Sequence, residues 1–148
     1  MSKVKIRNGD WVVVADGRKA LLLENEGDET LLNLKTREVR EHADPPNREL
    51  NDDRPGRVHQ SANVSRSSVE QTDRHFEAEK VFVAELSERL TGLIASGGVK
   101  GLIIVAPATV LGLIRKEYSP SVSAALRGEI DHDLTHLPIY EIEKHLLH

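Results

Sequence analysis

The chain contains no cysteine among its 148 residues. This absence excludes disulfide scaffolds, thiol catalysis and zinc or iron–sulfur sites built on cysteine. Aromatic residues make up only 3% of the chain, so the core must be built mainly from Val, Leu, Ile and Ala. No apolar run approaches the roughly 20 residues that a membrane-spanning helix needs, and the first residues show no secretory signal. We therefore expect a cytoplasmic protein without a membrane span.

An excess of positive charge is also missing, because 24 Asp and Glu outnumber 20 Lys and Arg and the formal net charge is −4. Affinity for nucleic-acid backbones comes mostly from clustered Lys and Arg, so contact with RNA would require a local basic patch. Hydrophobic residues at 39% and charged residues at 30% are typical of a folded, water-soluble protein. The length fits one domain over residues 1–148.

The first forty residues carry the pattern of three antiparallel strands. The apolar runs "WVVVA" and "KALLLE" are separated by Asp16-Gly17, a pair favoured in type I′ hairpin turns, in which both central residues take positive φ. Unbroken apolar runs are typical of a sheet that is covered on both faces. The predicted strands span residues 10–15, 18–24 and 29–39.

A polar stretch over residues 43–68, "ADPPNRELNDDRPGRVHQSANVSRSS", interrupts this regular pattern. Proline, serine, Asn and Asp accumulate there, and periodic apolar positions disappear. Loops of this length within compact domains are usually functional or disordered. The sequence therefore predicts a long exposed loop over residues 43–68.

The second half of the chain alternates helical and strand patterns. A long helix over 68–95 is predicted by six apolar residues at steps of three, four or seven, namely Val69, Phe76, Val83, Leu86, Leu90 and Leu93. Ser67 or Ser68 would cap its start and Ser96-Gly97-Gly98 would end it. The further predictions are a buried strand over 100–107, helices over 107–117 and 119–128, an edge strand over 129–135 and a last helix from Pro138. The order βββ–long loop–αβααβα indicates a three-layer α/β domain with a mixed five-stranded sheet.

The order and spacing of these motifs resemble the middle domain of archaeal and eukaryotic peptide-chain release factors. In that family a strand–Asp-Gly–strand hairpin precedes a loop with Gly-Arg-Gly-Gly-Gln-Ser, a long helix and a strand similar to "GLIIVAP". Here Asp16-Gly17, "GRVHQS" and "GLIIVAP" follow in the same order over roughly residues 10–147. The resemblance implies a ribonuclease-H-like sandwich.

More narrowly, "WVVVADGRKALLL", "RVHQS" and "LIIVAPATVLGLIR" resemble a bacterial family described as proteins required for attachment to host cells. That family is thought to consist of single-domain relatives of the release factors. The resemblance implies a release-factor-like fold, and its host-attachment description names a phenotype without giving a molecular mechanism.

The resemblance points to a candidate binding loop made of Arg54, Gly56, Arg57, Val58, His59, Gln60, Ser61 and Arg66. In release factors the two glycines before the Gln open backbone conformations that let this Gln orient water in the peptidyl-transferase centre. Val58 and His59 replace those glycines here, and a β-branched residue with positive φ is a serious outlier. Peptidyl-tRNA hydrolysis is therefore not expected, and we assign no catalytic residue.

Other chemistries find little support among the residues. His132 and His136 in "DHDLTH" suggest a metal site, but the predicted strand does not bring them onto one helical face and no third ligand is evident. Asp10 and Asp16 flank the first strand without the converging carboxylates that two-metal nucleases need. We therefore expect neither a metal nor another cofactor.

The leading interpretation is a non-catalytic binding module associated with translation, through the ribosome, tRNA or other RNA. One alternative is a factor that contacts the host cell directly, and another is a small hydrolase using His59 and Gln60. The sequence favours binding over catalysis, but it leaves open whether the chain is an enzyme, whether its partner is another protein, and its oligomeric state.

Overall fold

The computed structural model describes residues 5–42 and 64–147, and within the second range it describes side chains from Phe76 onward. The strands are β1 (Trp11–Ala15), β2 (Lys19–Asn25), β3 (Leu34–Glu41), β4 (Leu102–Ala106) and β5 (Leu126–Asp131). The helices are α1 (Val64–Ala95), α2 (Ala108–Arg115), α3 (Pro120–Ala125) and α4 (Ile139–Leu147).

The five strands form one mixed sheet in the order β3-β2-β1-β4-β5. β2 is antiparallel to both β1 and β3, whereas β4 is parallel to β1 and β5 is parallel to β4. Consequently β1, β3, β4 and β5 all end at one side of the molecule, which we call the carboxyl end of the sheet. They begin at the opposite side, the amino end.

Hydrophobic side chains pack on both faces of this sheet. On one face Phe82 and Leu86 of α1 join a cluster that includes Val13 of β1 and Ile104 of β4, with α2 and α3 contributing further residues. On the other face α4 covers the sheet, and its Ile142 belongs to the second cluster. Every residue of β1 and β4 is buried, as their unbroken apolar runs predict. The expected three-layer α/β sandwich with a mixed five-stranded sheet is thus confirmed.

The long helix matches its predicted end but not its predicted start. Gly97 has a φ of +86° and follows the last turn, which confirms the predicted glycine cap. The helix begins at Val64, so Ser67 and Ser68 lie inside it and do not cap it. Phe76, assigned to the inward stripe, is 51% exposed, whereas Phe82, outside that stripe, is buried. Among the described side chains, the stripe faces the core from Val83 onward.

The Asp16-Gly17 prediction gives the correct hairpin but the wrong turn. Neither residue has positive φ, so the turn is not type I′. Instead Asp16 Oδ1 accepts hydrogen bonds from the backbone N–H groups of Arg18 (2.7 Å) and Lys19 (2.8 Å). The aspartate side chain therefore stabilises the turn, and Gly17 contributes its small size.

Two predicted strands are displaced along the chain. β3 starts at Leu34 and not at residue 29, because Asp28 Oδ1 accepts from the N–H groups of Thr30 and Leu31 and forms a turn there. β5 spans Leu126–Asp131 rather than 129–135, so the alternation through His132 is not that of a strand. β5 is nevertheless an edge strand of the described sheet, as predicted.

The remaining elements need smaller adjustments. Ser119 caps α3 by accepting a hydrogen bond from Val122 N–H, and Pro120 takes the first helical position. Leu147, the last residue of α4, is 37% exposed, whereas the neighbouring Leu146 is buried. No helix within the described residues is long and apolar enough to cross a membrane.

Candidate functional site

The predicted binding loop lies almost entirely outside the described residues, which include none of Arg54, Gly56, Arg57, Val58, His59, Gln60 and Ser61. The exception is Arg66, whose backbone belongs to the first turn of α1. The predicted end of the loop at residue 68 is therefore wrong, because the helix has already begun at Val64. His42 and Val64 bracket the segment 43–63, and the site is described from these two ends.

The length of α1 separates the two ends of this segment. At about 1.5 Å per residue its 32 residues measure roughly 48 Å, whereas a five-residue strand measures roughly 17 Å. The Glu79 side chain lies against Gly17 at the carboxyl end of the sheet, and Arg89 reaches Glu38, which lies nearer the amino end on β3. The helix therefore runs antiparallel to β3, and residues 64–78 extend roughly 20 Å beyond the carboxyl end.

The other end of the segment is held against the body of the molecule. The His42 ring, directly after β3, makes an edge-to-face contact with the Phe82 ring at a centroid distance of 6.4 Å. Phe82 is buried and belongs to the main core cluster. Phe82 lies eighteen residues after Val64 in α1, so the two anchor points are separated by roughly 25 Å along the helix.

Ion pairs fix the second half of α1 against β3. Arg89 donates to Glu38 from Nη2 (2.8 Å) and from Nε (3.0 Å), and Arg40 Nη1 lies 3.0 Å from the same carboxylate. The hydrogen bonds from Arg89, aided by Arg40, hold the pKa of Glu38 below its usual value in spite of partial burial. This attachment holds the base of the helix while its first half extends outward.

A buried threonine connects two loops at the carboxyl end. The Thr135 hydroxyl lies 2.9 Å from Asp16 Oδ2 and 3.0 Å from Asp133 Oδ1. It has one proton to share between two carboxylates, so it joins the β1–β2 turn to the loop after β5. The β1–β2 turn also lies beside His42, whose N–H donates to the Arg18 carbonyl (2.7 Å).

The histidines of "DHDLTH" are not assembled into a metal site. Both His132 and His136 follow the end of β5, and the His132 ring lies 6.2 Å from the His145 ring. Glu141 and Lys144 line the same surface groove. Within the described parts of the chain, no group of three or more His, Asp or Glu side chains has the arrangement that a metal ion needs.

The two carboxylates considered for nuclease chemistry lie at opposite ends of β1. Asp16 is at the carboxyl end, whereas Asp10 is buried at the amino end, where its Oδ1 accepts from Arg127 Nε (3.1 Å). The Arg7 N–H donates to Asp10 Oδ2 (2.9 Å). Two-metal chemistry needs carboxylates that converge on one place, so these two residues cannot form such a site.

Sequence reasoning missed Thr135 and the His42–Phe82 contact. One signal for Thr135 was present, because Asp16 follows β1 and Thr135 follows β5, and parallel strands end on the same side of a sheet. That signal requires knowing that β1 and β5 run in the same direction, which the sequence does not reveal. Phe82 lies outside the stripe read from the sequence and was therefore not considered for the core.

A family model described as "Protein required for attachment to host cells" matches residues 11–146 of the chain. No curated protein matches the chain. Among solved structures, the crystal structure of an archaeal translation termination factor aligns with 84% of this chain, at 12% sequence identity and a TM-score of 0.46. The chain spans only about a third of that protein, since the alignment covers 31% of it.

Proposed function

The chain belongs to the family of proteins required for attachment to host cells, and on that premise we propose that it is a non-catalytic binding module whose target is the ribosome or an RNA of the translation apparatus. The binding element is the segment 43–63 together with the extended half of α1. The observation that carries this proposal is the extension of α1, which holds one end of the segment roughly 20 Å away from the sheet.

The chemistry of the segment supports contact with phosphate or RNA bases over catalysis. Arg54, Arg57 and Arg66 supply guanidinium groups, which bind phosphate with paired hydrogen bonds. Gln60 can donate and accept hydrogen bonds at base edges. Val58 and His59 stand where the resembling release factors have the glycines that serve peptide release, so binding is proposed without hydrolysis.

The test is co-sedimentation with ribosomes at moderate salt, comparing the intact chain with a deletion variant. Residues 43–78 can be replaced by a short Gly-Ser linker from His42 to Glu79, because the His42 ring already contacts Phe82. We expect the body to keep its core in this variant, since Phe82 is the first buried residue among the described side chains of α1. We expect the intact protein to sediment with ribosomes and the deletion variant to remain in the supernatant.

Two point variants distinguish a specific contribution of the segment 43–63 to binding from a general effect of positive charge. Arg57→Ala removes a cation from the segment, and Lys35→Ala removes an exposed cation from β3. We expect the first to lower the ribosome-bound fraction and the second to leave it unchanged. If the intact protein stays wholly in the ribosome-free fraction from both growing and starved cells, the proposal is wrong.

A second candidate, direct contact with the host cell, is favoured by the description of the family. It predicts that the protein is exposed on intact bacteria. Protease treatment of intact cells, followed by detection of the protein, distinguishes the two functions. Digestion without cell lysis supports direct attachment, and full protection of the protein contradicts it.

A further inference from the structure

β3 offers an open strand edge to a partner. It is the outermost strand on its side of the described sheet, with β2 as its neighbour among the described residues. The His42 N–H donates to the Arg18 carbonyl of the β2 side. The direction of the backbone N–H and C=O groups alternates along an antiparallel pair. Those of Arg40 and Glu38 therefore also point toward β2, whereas those of Val39 and Glu41 point outward.

The bulge and the charges on β3 restrict what can pair with it. Leu22 pairs with Glu38 and Leu23 with Thr36, so Arg37 is an extra residue that interrupts the regular ladder. Regular pairing is therefore limited to the stretch after Arg37. Charged side chains on an edge strand disfavour pairing with most other strands. A partner must therefore match the charges of this short stretch.

A second copy of the same strand provides that match in one register. If two β3 strands pair antiparallel about a two-fold axis at Val39, Glu38 of each copy lies opposite Arg40 of the other. An axis at Glu38 would place two glutamates opposite each other, and an axis at Arg40 would place two arginines opposite each other. The Val39 axis also brings outward-pointing backbone groups face to face, as hydrogen-bonded pairing requires.

We propose that the protein forms a homodimer in which β3 of each copy pairs antiparallel about Val39, joining the two five-stranded sheets into one of ten strands. Val39 is 48% exposed in the single chain and would contact its own equivalent at the axis. A groove of about 480 Å³ beside it is lined by Val39, His42, Val81 and Phe82 among others. Val81 is 51% exposed on α1, and the second copy would cover it.

The interface is isologous, since the same residues meet from both sides. It requires neither the ribosome nor the segment 43–63, so it can be tested independently of the proposed function. Because the paired stretch is short, we expect an equilibrium between monomer and dimer that shifts with protein concentration.

The first experiment is sedimentation velocity of the full chain over a wide range of concentrations, for the natural sequence and for Val39→Pro. Proline removes the outward N–H of residue 39 and leaves the hydrogen bonds to β2 in place, and edge strands accept it at such positions. We expect the dimer dissociation constant to rise by about tenfold or more, since two hydrogen bonds are lost across the axis. Far-UV circular dichroism checks that the variant is folded.

A charge exchange tests the register. Glu38→Arg makes positions 38 and 40 both positive, and Arg40→Glu makes both negative, so each variant repels itself across the axis. An equimolar mixture places opposite charges together, so we expect the mixture to dimerise while each variant alone stays monomeric. Asp131→Lys, a charge reversal at the end of the other edge strand, is the control and should leave dimerisation unchanged.

Four results would overturn the proposal. The first is a natural protein that stays monomeric at every concentration. The second is a dimer that folded Val39→Pro leaves intact, and the third is a mixture of the two charge variants, both shown by circular dichroism to be folded, that fails to associate. A dimer weakened by Asp131→Lys would place the interface on β5 and would also contradict it.

Discussion

At the amino end of the sheet, the side chain of Asn25 is fully buried, and its Oδ1 accepts hydrogen bonds from the N–H groups of Gly27 and Asn33, both at 2.9 Å. Its Nδ2 lies within 3.4 Å of three backbone carbonyls. At the carboxyl end the corresponding link is the Thr135 hydroxyl, which contacts the partly exposed carboxylate of Asp16 and the exposed one of Asp133. One end is closed by buried groups with many partners. The other is linked through the buried hydroxyl of Thr135 to carboxylates that reach solvent.

This contrast separates stability from function within one small sheet. Buried hydrogen-bonding groups are costly to leave unpaired, so the amino end tolerates little change. The carboxyl end has its partners near solvent, where water can replace a lost contact. It is also the end from which the segment 43–63 starts and beyond which α1 extends. A variable or binding segment can therefore be attached there at little cost to the fold.

The largest expected effect is at the amino end, for Asn25→Ala. The change leaves two N–H groups and several carbonyls without their partner in a buried place, so we expect the free energy of unfolding to fall by about 3 kcal/mol. Urea denaturation measures it. Asn33→Ala, at an exposed neighbouring position, should change stability by less than about 0.5 kcal/mol. Similar losses for the two variants would refute the role given to Asn25.

A matched pair of glycines compares the two ends directly. A Cβ on Gly101 would overlap the Arg127 guanidinium that is bound to the buried Asp10, whereas a Cβ on Gly17 would meet the flexible side chain of Glu79. We expect Gly101→Ala to cost about 2 kcal/mol and Gly17→Ala less than about 1 kcal/mol. Thermal unfolding of both variants measures the difference, and the reverse order would contradict the comparison of the two ends.

A smaller effect is expected for Thr135→Val at the carboxyl end. The change keeps the shape of the side chain but removes the hydroxyl shared by Asp16 and Asp133, so stability should fall by about 1 kcal/mol. Thr36→Val, at an exposed position of β3, serves as the control and should stay within about 0.5 kcal/mol of the natural chain. A loss for Thr135→Val as large as for Asn25→Ala would mean that both ends are equally rigid.

The smallest effect is expected for Glu129 of β5, which belongs neither to the Asn25 contacts at the amino end nor to the Thr135 contacts at the carboxyl end. Burial raises its pKa, but hydrogen bonds from Arg115 and Tyr118 outweigh burial and hold it below the usual value. A lowered pKa stabilises the fold above the pKa of the unfolded chain, and this contribution is lost as the pH falls through the folded value. Glu129→Gln should therefore show a shallower loss of stability between neutral pH and about pH 3, which lies below the ordinary glutamate pKa of about 4.3. Urea midpoints at both pH values measure this loss for the natural chain and for the variant, and an equal loss in the two would contradict the prediction.

Much of the fold could be predicted from local patterns. The buried strands β1 and β4 and the glycine end of α1 follow from the sequence, because each depends on residues close together in the chain. Boundaries were less accurate where a side chain formed a turn that competes with a strand. Asp28 displaced the start of β3 in this way, and Asp16 replaced the expected positive φ with its own hydrogen bonds.

The candidate site was less predictable. Arg66 was placed in a loop, although the helical backbone had already begun at Val64, because neighbouring serines and charged residues hide the helical period. The loop residues from Arg54 to Ser61 stay a prediction. The structure contributes instead the two attachments of the segment, His42 against Phe82 and Val64 at the start of an extended helix.

The order of hydrophobic and polar residues along this chain was sufficient to specify β1, β2 and β4, the burial of β1 and β4, and the second half of the long helix, because apolar area and backbone propensity act over a few neighbouring residues. The strand order determined the rest. It brought Thr135 to Asp16, placed Asp10 and Asp16 at opposite ends of one strand, and left Phe76 beyond the sheet while burying Phe82. Those contacts join residues far apart in the chain, and they exist only once the strands have paired.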